Sequence, residues 1–191
     1  MTDAPPPLPP FKEDGYRTVE PRISFTIERT IVAYRNEICR AWTDPEQLKR
    51  WIVPPDQDLV SCYLESEDRM VWYTKSHADS ESCVEHVLDC QTWFPYSRME
   101  IAFYTSAVPG MMDEHPVFLQ VELQKQERDD TVVSTDYKLT LQYHNATLWR
   151  YTSRIDLHTF WLEATERLTR LIERSSTLSK ATTPTQRLQI S

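Results

Sequence analysis

From Met70 to Gln142 the chain returns again and again to one two-residue rhythm, and that rhythm leaves few folds open. Met70, Trp72 and Thr74 alternate with Arg69, Val71, Tyr73 and Lys75. Val84, His86, Leu88 and Cys90 alternate with Glu85, Val87, Asp89 and Gln91. Met99, Ile101 and Phe103 oppose Arg98, Glu100 and Tyr104. Val117, Leu119, Val121 and Leu123 oppose Phe118, Gln120, Glu122 and Gln124. Val133, Thr135, Tyr137, Leu139 and Leu141 oppose Ser134, Asp136, Lys138, Thr140 and Gln142. Side chains of a strand point to alternate faces, so each run reads as a strand with one buried face. The breaks between runs are short: His77 to Ser80, Phe94 to Ser97, a Val108–His115 loop holding Pro109-Gly110, and Glu127 to Asp130. Runs joined this way predict an antiparallel meander.

The flanking segments supply the rest. Ile23, Phe25 and Ile27 alternate with Arg22, Ser24, Thr26 and Glu28 as a first strand. Ile38, Ala41 and Trp42 recur at helical spacing between Tyr34 and Thr43. Asp44 can cap a second short helix with Pro45 in its first position, and Trp51-Ile52-Val53-Pro54-Pro55 ends it. Val60 to Leu64 is a further strand candidate. After the meander, Leu157, Trp161, Ala164, Thr165, Leu168, Leu171 and Ile172 form the apolar stripe of one helix from about 148 to 174. Such a stripe needs a partner, and the buried face of the sheet is available. The predicted architecture is α+β: a curved antiparallel sheet around a long C-terminal helix, with two short helices after the first strand.

A chain of 191 residues suggests one domain with tails, here residues 22–175. Residues 1–21 hold Pro-Pro-Pro-Leu-Pro-Pro and are expected as a disordered tail. A polyproline ligand for an SH3-like or WW-like partner is the sharper reading of that segment. Residues 176–191, rich in Ser and Thr, are expected as a second disordered tail.

Composition excludes several functions. The net charge of −8 repels phosphate backbones, so sequence-independent nucleic-acid binding is not expected. Only two glycines occur, Gly15 and Gly110, so no phosphate-cradling glycine loop and no GxSxG elbow can be written. Cys39, Cys62, Cys83 and Cys90 form no CxxC pair, and no HxH or HExxH occurs, so no metal site is expected. No run approaches a membrane span and no secretory signal is read. Free thiols in a reducing, cytoplasmic setting follow as the expectation.

Local text adds a resemblance. Phe25-Thr26-Ile27-Glu28-Arg29-Thr30-Ile31, followed by Ala41-Trp42-Thr43-Asp44-Pro45-Glu46-Gln47-Leu48-Lys49-Arg50-Trp51, resembles the opening of the activator-of-heat-shock-ATPase (AHSA-like) family. The element order is similar to the helix-grip fold of the SRPBCC superfamily, which includes START, birch-pollen-allergen-like and polyketide-cyclase-like domains. The family pattern carries a glycine before the closing tryptophan, where this chain has Phe160 before Trp161. The resemblance implies a cavity between sheet and helix for an apolar or aromatic small molecule. No cofactor is implied.

Within that frame, strand parity nominates residues. His86 falls on the apolar side of its strand and is a candidate general acid or base; the plainer reading is a core histidine with one hydrogen bond. Tyr137 is a candidate proton donor to a ligand carbonyl, or a wall aromatic. Thr165 either faces the cavity or bonds back to its own helix. The ligand-contact set is Trp51, Trp72, Met99, Phe103, Leu119, Tyr137, Trp161 and Thr165. Met111-Met112 is a candidate lid. The functional expectation is an apolar small-molecule binder, acting as a carrier or as a cofactor-free cyclase, dehydratase or isomerase. A group titrating near the histidine reference of about 6.5 would set its pH profile. A cochaperone-like interaction module is the alternative.

Overall fold

The computed structural model describes residues 23–79, 81–108, 111, 115–126 and 133–181, with side chains to 175. The Pro-rich segment, the chain beyond 181, Pro109-Gly110, Met112 and Glu127–Asp130 lie outside the described residues.

Seven strands are built by the alternating runs: β1 Ile23–Ile31, β2 Gln57–Leu64, β3 Arg69–Ser76, β4 Cys83–Phe94, β5 Arg98–Thr105, β6 Val117–Lys125 and β7 Thr135–Tyr143. They form one sheet in the order β1-β7-β6-β5-β4-β3-β2, antiparallel throughout. β1 leaves its sequence neighbours and closes the far edge beside β7, because two helices intervene before β2. These are α1, Arg35–Thr43, and α2, Pro45–Leu48. The Asp44 carboxylate accepts from Glu46 N at 2.9 Å, so the cap and the Pro45 start are as the sequence indicates. β2 begins at Gln57, three residues before the expected start.

The C-terminal helix departs from expectation. It is two helices, α3 Ala146–Arg154 and α4 Leu157–Ala181. Asn145 caps α3 through Leu148 N at 2.8 Å. The break falls at Ile155-Asp156, where Asp156 takes φ 49°. The apolar phase explains it. Leu148 and Thr152 share one face, but the step of five to Leu157 turns about 140° on a continuous helix, at roughly 3.6 residues per turn. Breaking the helix resets the phase, so Leu157, Trp161, Ala164, Thr165, Leu168 and Ile172 all face the sheet and are buried. α4 also continues to Ala181, beyond the expected end near 174.

The result is a helix-grip α+β fold. Inward residues of β3–β7 and of β1 form one core with α1, α2 and α4. The outer face is mainly polar, apart from Val71, Val87 and Ala102, which are buried there.

Candidate functional site

Two polar groupings sit on the buried side of the sheet, three strands apart. The first centres on His86 of β4, which pairs with Trp72 on β3 and Thr105 on β5. Its ring stacks on Trp72 at 4.9 Å and 15°. Phe103 and Phe160 lie nearly parallel to it at 6.3 Å and 6.4 Å. Nε2 meets Thr74 Oγ1 at 3.0 Å, while Nδ1 is buried with no hydrogen-bond partner among the described residues. Aromatic and uncharged neighbours offer a proton nothing to bind, so burial pushes the imidazole down to about 3. This corrects the expectation of a group titrating near 6.5: His86 is a neutral imidazole in the neutral range.

The second grouping centres on Tyr137 of β7. Thr165 on α4 and Trp42 on α1 stand near its hydroxyl oxygen as donors. Those neighbours favour the phenolate slightly, but burial outweighs them and holds the phenol far above its ordinary range. Tyr137 Oη, Thr165 Oγ1 and Trp42 Nε1 all lack a bond of full geometry, as does Trp161 Nε1. Leaving a buried polar atom unpaired costs roughly 1–3 kcal/mol.

Trp161 joins the two groupings. Its indole stacks on Trp42 at 5.7 Å and 9°, and meets Phe103 edge-on at 5.3 Å. One aromatic path therefore runs from Trp72 through His86, Phe103 and Trp161 to Trp42. These rings fill the space between sheet and helices. A notch of about 50 Å³ lies at the edge of this packing. Met70, Leu88, Met99, Ile101 and Trp42 line the notch, and Leu64 and Trp93 stand at its rim. Two larger depressions, about 650 and 290 Å³, lie along the sheet among residues of the polar face such as Glu122, Lys138, Gln120 and Gln142.

The scaffold behind the site is tied by Arg167. It donates from Nε to Trp51 O at 2.8 Å and from Nη2 to Ile52 O at 3.4 Å, anchoring the end of α2 on α4. Trp51 spends its own N–H on Ala41 O at 2.9 Å. The thiols of Cys39 and Cys62 are pushed up by burial to about 11, so neither is a nucleophile at neutral pH. Among the described residues no group of three or more His, Cys, Asp or Glu could hold a metal. No helix there is long and apolar enough to cross a membrane.

Of the residues nominated by sequence, His86, Trp72, Phe103, Tyr137, Trp161 and Thr165 belong to the two groupings and the path between them. Met99 lines the notch, and Leu119 is buried between Ile101 and Leu141. Trp51 meets Trp42 edge-on, but its polar atom belongs to the scaffold. Met111 is fully buried. Four residues were not foreseen: Trp42, Thr74, Phe160 and Trp93. Parity could have found Thr74, and the i, i+4 logic of helix faces does not reach Trp42 across chain segments. Trp93 is hidden by a register shift between Cys90 and Thr92 that re-aims it.

No family model and no curated protein matches the sequence. Solved structures do. A protein from Nitrosomonas europaea superposes with TM-score 0.63 at 15% identity, over 81% of this chain and 96% of that one. A protein from Arthrobacter aurescens gives 0.60 at 16% identity, over 88% and 93%. An AHSA1-like protein from Aeromonas hydrophila gives 0.54 at 12% identity, over 81% and 94%. At such identities the likeness shows the fold alone.

Proposed function

We propose that this chain binds a planar, apolar small molecule in the aromatic interior between sheet and α4. The observation that carries the reading is His86: a ring nitrogen without a partner, set among the parallel aromatic faces of Trp72, Phe103 and Phe160. An apolar pocket with a few oriented polar atoms is the ordinary design of a small-molecule site. Phe160 is only partly buried, and its ring can yield its place to a ligand ring of similar size. Holding is favoured over turnover, because burial leaves His86 a very weak base and Tyr137 a very weak acid, both far from the working pH. Native mass spectrometry of the freshly purified protein tests the reading. A retained aromatic molecule of small mass is expected, and it is lost in His86→Leu. A bare protein mass, together with no binding of added aromatic probes, overturns it. If cyclase, dehydratase or isomerase activity is found, Tyr137→Phe must abolish turnover while leaving ligand bound.

A second reading is a cochaperone-like interaction module. It is favoured by the β4–β5 hairpin, which exposes Trp93, Phe94 and Tyr96, the last at φ 59°. Stimulation of a heat-shock ATPase that is lost in a Trp93→Ala, Phe94→Ala double variant would support it. No stimulation by the wild-type chain removes it.

A further inference from the structure

The polar atoms around Tyr137 carry more than a place in the core. Trp42, Tyr137, Thr165 and Trp161 are each no more than 3% exposed, and each has a polar atom without a bond of full geometry. They form one neighbourhood. Thr165 and Trp42 stand near the Tyr137 oxygen as donors, Trp161 stacks on Trp42, and Thr165 lies one turn after Trp161 on α4.

Their inventory is unbalanced. Indole N–H groups only donate, and hydroxyls donate and accept. Two indoles and two hydroxyls present four donors, and the acceptors among them are the two hydroxyl oxygens, with two lone pairs each. Tyr137 and Thr165 can satisfy one hydroxyl proton between them, and the indoles can use the remaining lone pairs. Two hydroxyls cannot donate to each other at once, so within this set one hydroxyl proton is left over. What this neighbourhood lacks is an acceptor that carries no proton of its own.

The charged groups nearby are already engaged. Arg29 pairs with Tyr137 in the β1–β7 register, and its Nε lies 3.9 Å from Glu166. Arg167 is bonded to the carbonyls of Trp51 and Ile52 and lies 3.6 Å from Glu163. A carboxylate brought here would be a buried charge without a free cation, which is strongly unfavourable.

We propose that Trp42, Tyr137, Thr165 and Trp161 form the polar end of the binding site, and that this end takes the uncharged acceptor oxygen of a ketone, aldehyde, ester or amide. The proposal rests on the interior being a ligand site, and it assigns the class of ligand. No bond is made or broken.

Three one-ring probes of matched shape test it on the full chain at pH 7: acetophenone, ethylbenzene and benzoate. Binding is followed by nuclear magnetic resonance of the indole N–H signals. Acetophenone is expected to bind roughly tenfold more tightly than ethylbenzene, the worth of about one relieved donor, and to move the Trp42 and Trp161 signals. Benzoate is expected to bind more weakly than either. Tyr137→Phe and Thr165→Val should each remove most of the acetophenone advantage while leaving ethylbenzene affinity within about twofold. Thr165→Val is nearly isosteric and keeps the test open if Tyr137→Phe perturbs the fold. Equal binding of acetophenone and ethylbenzene, or tightest binding of benzoate, overturns the polar end while sparing the interior site. Binding of none of the three overturns both.

Discussion

Replacing His86 with Phe should remove much of this protein's sensitivity to mild acid. The imidazole is held down to about 3 in the folded chain, against an ordinary value of 6.5 in the unfolded one. Above pH 6.5 both states are neutral and the group costs nothing. As pH falls below 6.5 the unfolded chain takes up a proton that the folded chain refuses. Stability then drops by about 1.4 kcal/mol per pH unit, and the loss is complete only below about pH 3. At pH 4.5, two units below the unfolded value, the loss from this one residue is roughly 2–3 kcal/mol. A typical domain has about 5–15 kcal/mol in total, so this is a large part of the whole. His86→Phe keeps a flat ring against Trp72 and leaves Thr74 Oγ1 unpaired, a cost of about 1–2 kcal/mol that does not change with pH. The assay is urea denaturation of both proteins at pH 7.5 and pH 4.5. Carboxylate titration is common to both and cancels in the difference. The wild type should lose roughly 2–3 kcal/mol more than His86→Phe over that interval, or about 5–10 °C in thermal midpoint for a chain of this size. Equal losses would show that the unfolded and folded imidazoles titrate alike, and the account of a neutral, desolvated His86 would be wrong.

Arg167→Met keeps the stem of the side chain but strips the donors from Trp51 O and Ile52 O; a loss of about 2 kcal/mol in urea denaturation is expected, and no loss means the clamp is incidental. Asn145→Ala removes the cap of α3 and should cost about 1 kcal/mol by the same measurement. Thr165→Val should leave the ligand-free protein as stable as before or stabilise it by up to about 1 kcal/mol, because it deletes a buried hydroxyl that has no bond of full geometry; a loss of more than about 2 kcal/mol would mean that the hydroxyl is well bonded in the ligand-free protein. Phe160→Ala should cost about 2 kcal/mol and open a ring-sized space beside His86 Nδ1, so that phenol, which can donate to that nitrogen, binds more tightly than toluene; equal binding would place Nδ1 away from the space.

Much of the sheet was legible because it depends on a local signal. The alternation in β4 to β7 puts His86, Phe103, Leu119 and Tyr137 on the inward face with no help from distant residues. The capping of α2 by Asp44 was legible for the same reason. What escaped involves phase or distance. The Gln91 shift breaks parity inside one strand, so Trp93 reads as outward or inward depending on where counting starts. The C-terminal break needs a comparison of two apolar stripes whose phases differ by about 140°, and each stripe alone looks like one good helix. Trp42 reads as a plain core residue of α1. Only the fold carries it to Trp161 and Tyr137, residues more than ninety positions away. Phe160 sits beside a strong core tryptophan, and sequence alone does not say that its ring lies across His86 and Phe103.

The same burial that closes this interior also decides what chemistry it can support. Cys39, His86, Tyr137 and, at the end of β7, Tyr143 are buried titratable groups, and burial pushes each toward its uncharged form. Among the described residues the charged side chains are kept out of the aromatic path, by exposure or, as with Arg167, by bonds to the scaffold. A reaction that builds an ion in its transition state gains most from charged or strongly dipolar partners set in advance. Neutral indole, hydroxyl and imidazole groups give instead directional hydrogen bonds whose worth rises as water is excluded. On the proposed reading, selection would act on the shape of a ligand and on the placement of its neutral polar atoms: a flat ring matched to Trp72 and Phe103, and an acceptor oxygen matched to Tyr137 and Thr165. Placing a charge on the ligand at that end should weaken binding, and moving the oxygen by one carbon should weaken it for a different reason, by leaving the same donors unpaired.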